Sequence, residues 1–104
     1  MFTKKSSISR VKQFLAECNK LSFTIDKAII FGSAIQGKAT ENSDIDLALF
    51  SDKFSDNILN NLDMIGPVNI RFPEIDVHTY PLKQYKQKGI IMDQIKKTGI
   101  EIKI

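Results

Sequence analysis

The chain has 104 residues, a formal net charge of +3 and one cysteine, enough for a single domain over 1–104 and too little for two cores. With 42% hydrophobic and 26% charged residues it reads as globular rather than disordered, and its apolar runs fall far short of a membrane span. Cys18 alone excludes an intramolecular disulfide and fits a reducing cytoplasm. Lys4 and Lys5 precede no hydrophobic stretch, so no signal peptide is expected. The basic residues are scattered, with Lys4, Lys5, Arg10 and Lys12 toward one end and Lys83, Lys86, Lys88, Lys96 and Lys97 toward the other. No aromatic platform accompanies them, so a solvated surface is preferred to a nucleic-acid surface.

In chain order, Ile8, Val11, Leu15 and Cys18 fall at helical spacing, which predicts an amphipathic helix over residues 7–20 with Ser6 or Ser7 as N-cap. Residues 26–31 form a short buried strand, followed by a Gly32-Ser33 turn and a short helix. Residues 45–50 form another strand. Ile58, Leu59, Leu62 and Ile65 mark a second helix between residues 55 and 65, which Gly66-Pro67 stops. Residues 74–80 alternate Ile75, Val77 and Thr79 against Asp76, His78 and Tyr80, a strand with one apolar face. Residues 82–98 read as helical with a break near Gly89 and Gly99 as C-terminal cap. The tail Ile100 to Ile104 alternates strictly and suits an edge strand. The fold class is α+β, a small mixed sheet flanked by helices.

The chemistry concentrates between Ala28 and Phe50, where Gly32-Ser33 is followed by Asp44-Ile45-Asp46. On a strand, residues two apart share a face, so Asp44 and Asp46 project together while Ile45, Leu47 and Leu49 enter the core. Carboxylates about 7 Å apart on a rigid strand repel unless a cation lies between them. Mg²⁺ suits that role, since it takes a few carboxylates together with substrate phosphates. A glycine turn after a buried strand lets backbone amides approach phosphate oxygens, and the Ser33 hydroxyl adds a donor. An ordinary strand-to-helix turn with Ser33 as N-cap explains that segment equally well when it is taken alone.

Asp76 is the third element: if its strand pairs beside the Asp44–Asp46 strand, three carboxylates converge. With a nucleoside triphosphate they carry about −7, of which two Mg²⁺ offset about +4, leaving backbone amides and a lysine such as Lys38 to supply the rest. Other motifs fail. Gly32 to Ala39 is close to a phosphate-binding P-loop, but Ala39 stands where a hydroxyl belongs, and the next strand leaves no room for the long helix. An EF-hand loop fails at Ala48 and Leu49. The Asp-x-Asp of nucleotide-sugar glycosyltransferases is chemically similar, but those domains are much larger.

Gly32-Ser33, Gly37, Ser43-Asp44-Ile45-Asp46-Leu47 and Ile75-Asp76-Val77 resemble the signature of the polymerase-beta-like nucleotidyltransferase superfamily, and within it the minimal nucleotidyltransferases of the MNT type. The resemblance spans roughly residues 8–104. It implies that Gly32 and Ser33 hold the triphosphate of ATP, with Lys38 as a substitute for the family's missing arginines, and that Asp44, Asp46 and Asp76 bind two Mg²⁺. It implies that Asp76 also helps to deprotonate an acceptor hydroxyl that attacks the α-phosphate. Such proteins resemble antitoxins paired with HEPN-type helical toxins, which implies transfer of AMP to a partner protein. The chain departs from the family at Ala34 and Gln36, where many relatives carry arginine. Two alternatives stand beside this reading: an antitoxin or assembly module that acts by binding alone, and a nucleic-acid-binding domain.

Single residues carry weaker signals. His78 shares the Asp76 face and could contact a ligand, though a sheet-surface reading is preferred; Tyr80 on the same face reads as packing and Cys18 as a small core residue. Ile90, Ile91 and Ile95 read as core or partner interface.

Overall fold

The computed structural model describes residues 4–32, 44–87 and 89–104. Ser33, Gly37, Lys38 and the short helix expected before Asp44 lie outside the described residues. Among these residues the order is α1 (Lys4–Cys18), β1 (Lys27–Phe31), β2 (Ile45–Ser51), α2 (Ile58–Asn69), β3 (Ile75–Pro81), a 3-10 turn (Leu82–Lys86), α3 (Ile90–Thr98) and β4 (Ile100–Ile102). The four strands form one mixed sheet in the order β3-β2-β1-β4. β1 runs antiparallel to β2 and to β4, whereas β2 and β3 are parallel. The α+β class and the mixed sheet expected from the sequence are present.

Both faces of the sheet are covered, unequally. Ala28, Ile30, Ile45, Leu47, Leu49, Ile75, Val77 and Ile102 face Val11, Phe14, Leu15 and Cys18 of α1 and Ile65 and Val68 of α2. Phe14 and Phe72 meet edge-to-face at 5.5 Å, a geometry that adds to their burial. Across this layer Arg10 pairs with Glu74 at the start of β3. The opposite face is smaller: Ile29, Ala48 and Phe50 pack on Met92 and Ile95 of α3, with Tyr80, Leu82 and Tyr85 at its margin. Tyr80 stacks on Phe50 at 5.3 Å, so it is a packing residue, as its alternation predicts.

Two elements differ from the sequence expectation. α1 begins by Lys4, which puts Ser6 and Ser7 inside the helix instead of at its N-cap, with Ser7 buried. α2 runs through Gly66-Pro67 to Asn69. Pro67 sits in the last turn, where it removes one N–H bond, and the turn behind it is held by Ile70 N–H donating to Gly66 O at 3.0 Å. Burial of Val68 in the core offsets the lost bond.

The same helix buries a different stripe from the one its apolar residues suggest. Asn61, Ile65 and Val68 face inward, while Ile58 and Leu59 are 61% and 74% exposed. Asn61 is buried because it binds the preceding loop: its amide donates to Ser55 O at 2.8 Å and its carbonyl accepts from Ser55 N–H at 2.9 Å. Asn57 supplies the N-cap, accepting from Asn60 N–H at 3.2 Å.

The C-terminal third follows expectation. The helical stretch breaks before Gly89, and α3 ends at Gly99. A side chain at Gly99 would meet Ile29 and the Ile95 carbonyl oxygen at 2.5 Å, so glycine lets the chain turn tightly from α3 into the edge strand β4. Ile95 enters the core while Ile90 and Ile91 remain exposed.

Cys18 lies 2% exposed in the larger layer, and burial pushes its thiol up to about 12. The neutral thiol is therefore the form the fold prefers. Its contribution to stability is complete below the ordinary thiol range near 9 and is lost as pH rises toward about 12. At about pH 8 iodoacetamide should label Cys18 slowly in the native protein and to completion in denaturant. Rapid native labelling, read by intact mass, would contradict the burial.

Candidate active site

The site forms at one end of the smaller sheet face. Period-two alternation puts Phe31 of β1, Asp46 and Ala48 of β2, and Asp76 and His78 of β3 on that face. The parallel register then aligns them, with Asp46 opposite Asp76 and Ala48 opposite His78, while Phe31 lies opposite Asp46 on the antiparallel side. A sequence that buries Ile45 and Leu47 against Ile75 and Val77 has no other way to direct these polar residues.

Gly32 closes β1 with φ of +85°, a conformation that L side chains rarely adopt. A Cβ there would lie 2.3 Å from Asp46 Oδ2. The carboxylate of Asp46 thus occupies the space a side chain would need, and the bare backbone of the turn lies directly against it. The other oxygen, Oδ1, stands 3.4 Å from His78 Nε2, which is also 3.4 Å from Asp76 Oδ2. The Phe31 ring meets the imidazole edge-to-face at 5.2 Å.

These three side chains offer ligand atoms that all lie within 4.8 Å of one another. Their exposures, 30% for Asp46, 38% for His78 and 56% for Asp76, leave the group open to a ligand from solution. Asp44 is exposed immediately before β2 and stands outside this group, yet near enough for its charge to act on Asp46.

The Asp46 carboxyl is held above the usual carboxylate range. Burial is the main cause, opposed by the His78 contact and reinforced by the charges of Asp76 and Asp44. Like charges gathered in a half-buried place disfavour ionisation, and a cation there relieves it. Two carboxylates and an imidazole are also a donor set suited to a divalent cation.

The family model for polymerase beta nucleotidyltransferases matches residues 11–104. The chain belongs to that family. Its fold is shared with a candidate nucleotidyltransferase from Sulfolobus solfataricus, at a TM-score of 0.69 and 18% identity over 94% of this chain and 80% of that one. A toxin–antitoxin structure with AMP-PNP superposes at a TM-score of 0.60 and 21% identity, covering 90% of this chain and 70% of that one. A tri-AMPylated Shewanella oneidensis HEPN toxin in complex with an MNT antitoxin gives 0.53 and 16%, with 95% and 71% covered. At these identities the likeness is one of fold. No curated protein sequence matches the chain.

Of the residues singled out from the sequence, Gly32, Asp46 and Asp76 meet at this end of the polymerase-beta-type sheet, with Asp44 beside them. Ser33 and Lys38 fall outside the described residues. His78, read from the sequence as sheet surface, instead stands between the two aspartates. The signal for it was present: it lies two residues after Asp76 on an alternating strand.

Two outcomes follow for this site. Because the Asp46 pKa is raised in the fold, its contribution to stability is present below the ordinary carboxylate range and lost as pH rises through the raised value. In the presence of EDTA, Asp46→Asn should therefore raise Tm at pH 7, and the gain should shrink toward about pH 4. A lower Tm at pH 7 would mean that the His78 contact outweighs burial. Gly32→Ala should cost about 1–2 kcal/mol for its left-handed backbone and displace Asp46 as well. Denaturant unfolding measures the first effect, and unchanged stability would contradict the turn geometry.

Proposed function

We propose that the protein is a divalent-metal-dependent nucleotidyltransferase that moves AMP from ATP to a hydroxyl of a helical partner protein, acting as the antitoxin of a HEPN-type toxin. The observation that carries this reading is the register of β2 on β3, which sets Asp46 opposite Asp76 beside the bare Gly32 turn. Membership of the nucleotidyltransferase family supports the reaction class. Two structural relatives support the partner, one a toxin–antitoxin bound to AMP-PNP and one an antitoxin complexed with a tri-AMPylated HEPN toxin.

The residues fit a bound cation, because Asp46 and Asp76 converge from two strands and Asp46 is otherwise in a place that disfavours its charge. Asp44, Asp46 and Asp76 would hold it, two Mg²⁺ ions being the expectation from the sequence. When bound, the metal supplies positive charge that brings triphosphate and carboxylates together and stabilises charge developing at phosphorus.

The other roles belong to the chain. The Gly32 turn brings backbone to the phosphates, and Ser33 and Lys38 are assigned to them from the sequence. Asp76, more exposed than Asp46, accepts the proton of the acceptor hydroxyl. The hydroxyl oxygen bonds to the α-phosphorus, the α–β phosphoanhydride bond breaks, and pyrophosphate leaves with that electron pair. Positioning and fixed charge account for most of the acceleration in such a transfer. Ile58 and Leu59 on α2, with Ile90 and Ile91 on α3, expose apolar surface of the kind that partner proteins cover.

Incubation with ATP, Mg²⁺ and the helical partner, followed by intact mass of both proteins, tests the reading. An AMP-sized increment on the partner that disappears with Asp76→Asn is the expected result. A stable complex without any increment would replace it by inhibition through binding alone, in keeping with Ala34 and Gln36 at the two arginine positions.

A further inference from the structure

Resting on the nucleotidyltransferase reading of the same site, we propose that His78 is itself a metal ligand. Its imidazole then turns the cation preference from Mg²⁺ toward first-row transition-metal dications. Three observations carry this.

The first is spacing. Nε2 stands 3.4 Å from Asp46 Oδ1 and 3.4 Å from Asp76 Oδ2. Good N–H···O bonds lie at about 2.7–3.2 Å, so neither contact is a well-made hydrogen bond. Two donors that each sit about 2.1 Å from one ion are separated by about 3.0 Å at a right angle and about 3.4 Å at the tetrahedral angle. The nitrogen is therefore placed as a co-ligand of both carboxylates.

The second is support for the ring. His78 lies opposite Ala48 in the register, and the short alanine side chain leaves room for the imidazole to lean toward Asp46. Across β2, Phe31 of β1 packs edge-on against it at 5.2 Å. A histidine that only finished a sheet surface would have no need of both.

The third is donor chemistry. Mg²⁺ prefers oxygen ligands and retains its waters, whereas imidazole nitrogen binds later first-row ions with affinity rising from Mn²⁺ to Co²⁺ and beyond. A site of two carboxylates and one imidazole thus discriminates by its nitrogen.

Isothermal titration of the intact chain with Mg²⁺, Mn²⁺ and Co²⁺ separately, in wild type, His78→Asn, His78→Gln and Asp46→Asn, tests the proposal. Visible absorption of the Co²⁺ complex gives a second readout independent of turnover. Wild type should bind in the order Mg²⁺, Mn²⁺, Co²⁺ from weakest to tightest. Both His78 variants should lose Co²⁺ affinity by about tenfold or more, with a changed Co²⁺ spectrum and little change for Mg²⁺. Metal binding that depends on Asp46, with the same ion preference and Co²⁺ spectrum in wild type and both His78 variants, overturns the role of His78 and leaves the site standing. Binding equally tight in wild type and Asp46→Asn places the ion elsewhere, which overturns the cation site and this proposal together.

Discussion

Parallel pairing of β2 with β3 is the constraint on which the rest of the structure depends. In that register Ile45 and Leu47 meet Ile75 and Val77 on one face, and Asp46 meets Asp76 on the other. Each strand alternates with a period of two, so a slip by one residue would carry Asp76 and His78 into the layer occupied by Phe14, Ile65 and Val68. Burying an unpaired carboxylate among apolar side chains costs several kcal/mol, and exposing Ile75 and Val77 forfeits about 1.5–3 kcal/mol each. The aspartates are brought together by residues that take no part in the chemistry.

The two faces of the sheet divide the work accordingly. α1 and α2 cover one face completely, and that layer holds most of the buried apolar side chains. α3 and the 3-10 turn cover the other face only in part, over Ile29, Ala48 and Phe50. Where that cover ends, the face changes from apolar to charged, at Asp46, Asp76 and His78. Among the described residues that corner carries the exposed part of Asp46, Asp76 and His78. Phe31 and Gly32 border it, one packing on the imidazole and the other yielding its side-chain space to Asp46.

Much of this arrangement was legible in the sequence, because it rests on alternation. The strands, the inward set of Ile45, Leu47 and Leu49, the break before Gly89 and the edge strand β4 all follow from local pattern, and Asp46 and Asp76 share a face by the same rule. What local pattern could not supply were decisions made by tertiary contact. Asn61 is buried because Ser55 lies within reach of its amide, and that displaces the apolar residues Ile58 and Leu59 to the surface. α2 passes Gly66-Pro67 because Val68 has a place in the core. The place of His78 between the aspartates could not be read locally, because it depends on Ala48 and Phe31, which neighbour it only once the strands pair.

The site is also where the chain departs from its own rules of stability. Several charges elsewhere are paired at the surface, as in Glu17 with Arg71 at 3.1 Å and Lys27 with Glu101 at 3.7 Å. Asp46 instead sits half-buried beside two further aspartates, with its ionised form disfavoured. An ionised form disfavoured by the surrounding structure is what a bound cation would relieve, in keeping with the proposed function. Under the proposed function the carboxylates would draw in a cation, whereas they would repel a triphosphate until the cation is in place. On that reading the two would bind together, the cation screening the carboxylates that the β2–β3 register sets side by side. Ala34 and Gln36 at the two arginine positions would strengthen that dependence, since fewer fixed cations would receive the phosphates on their own.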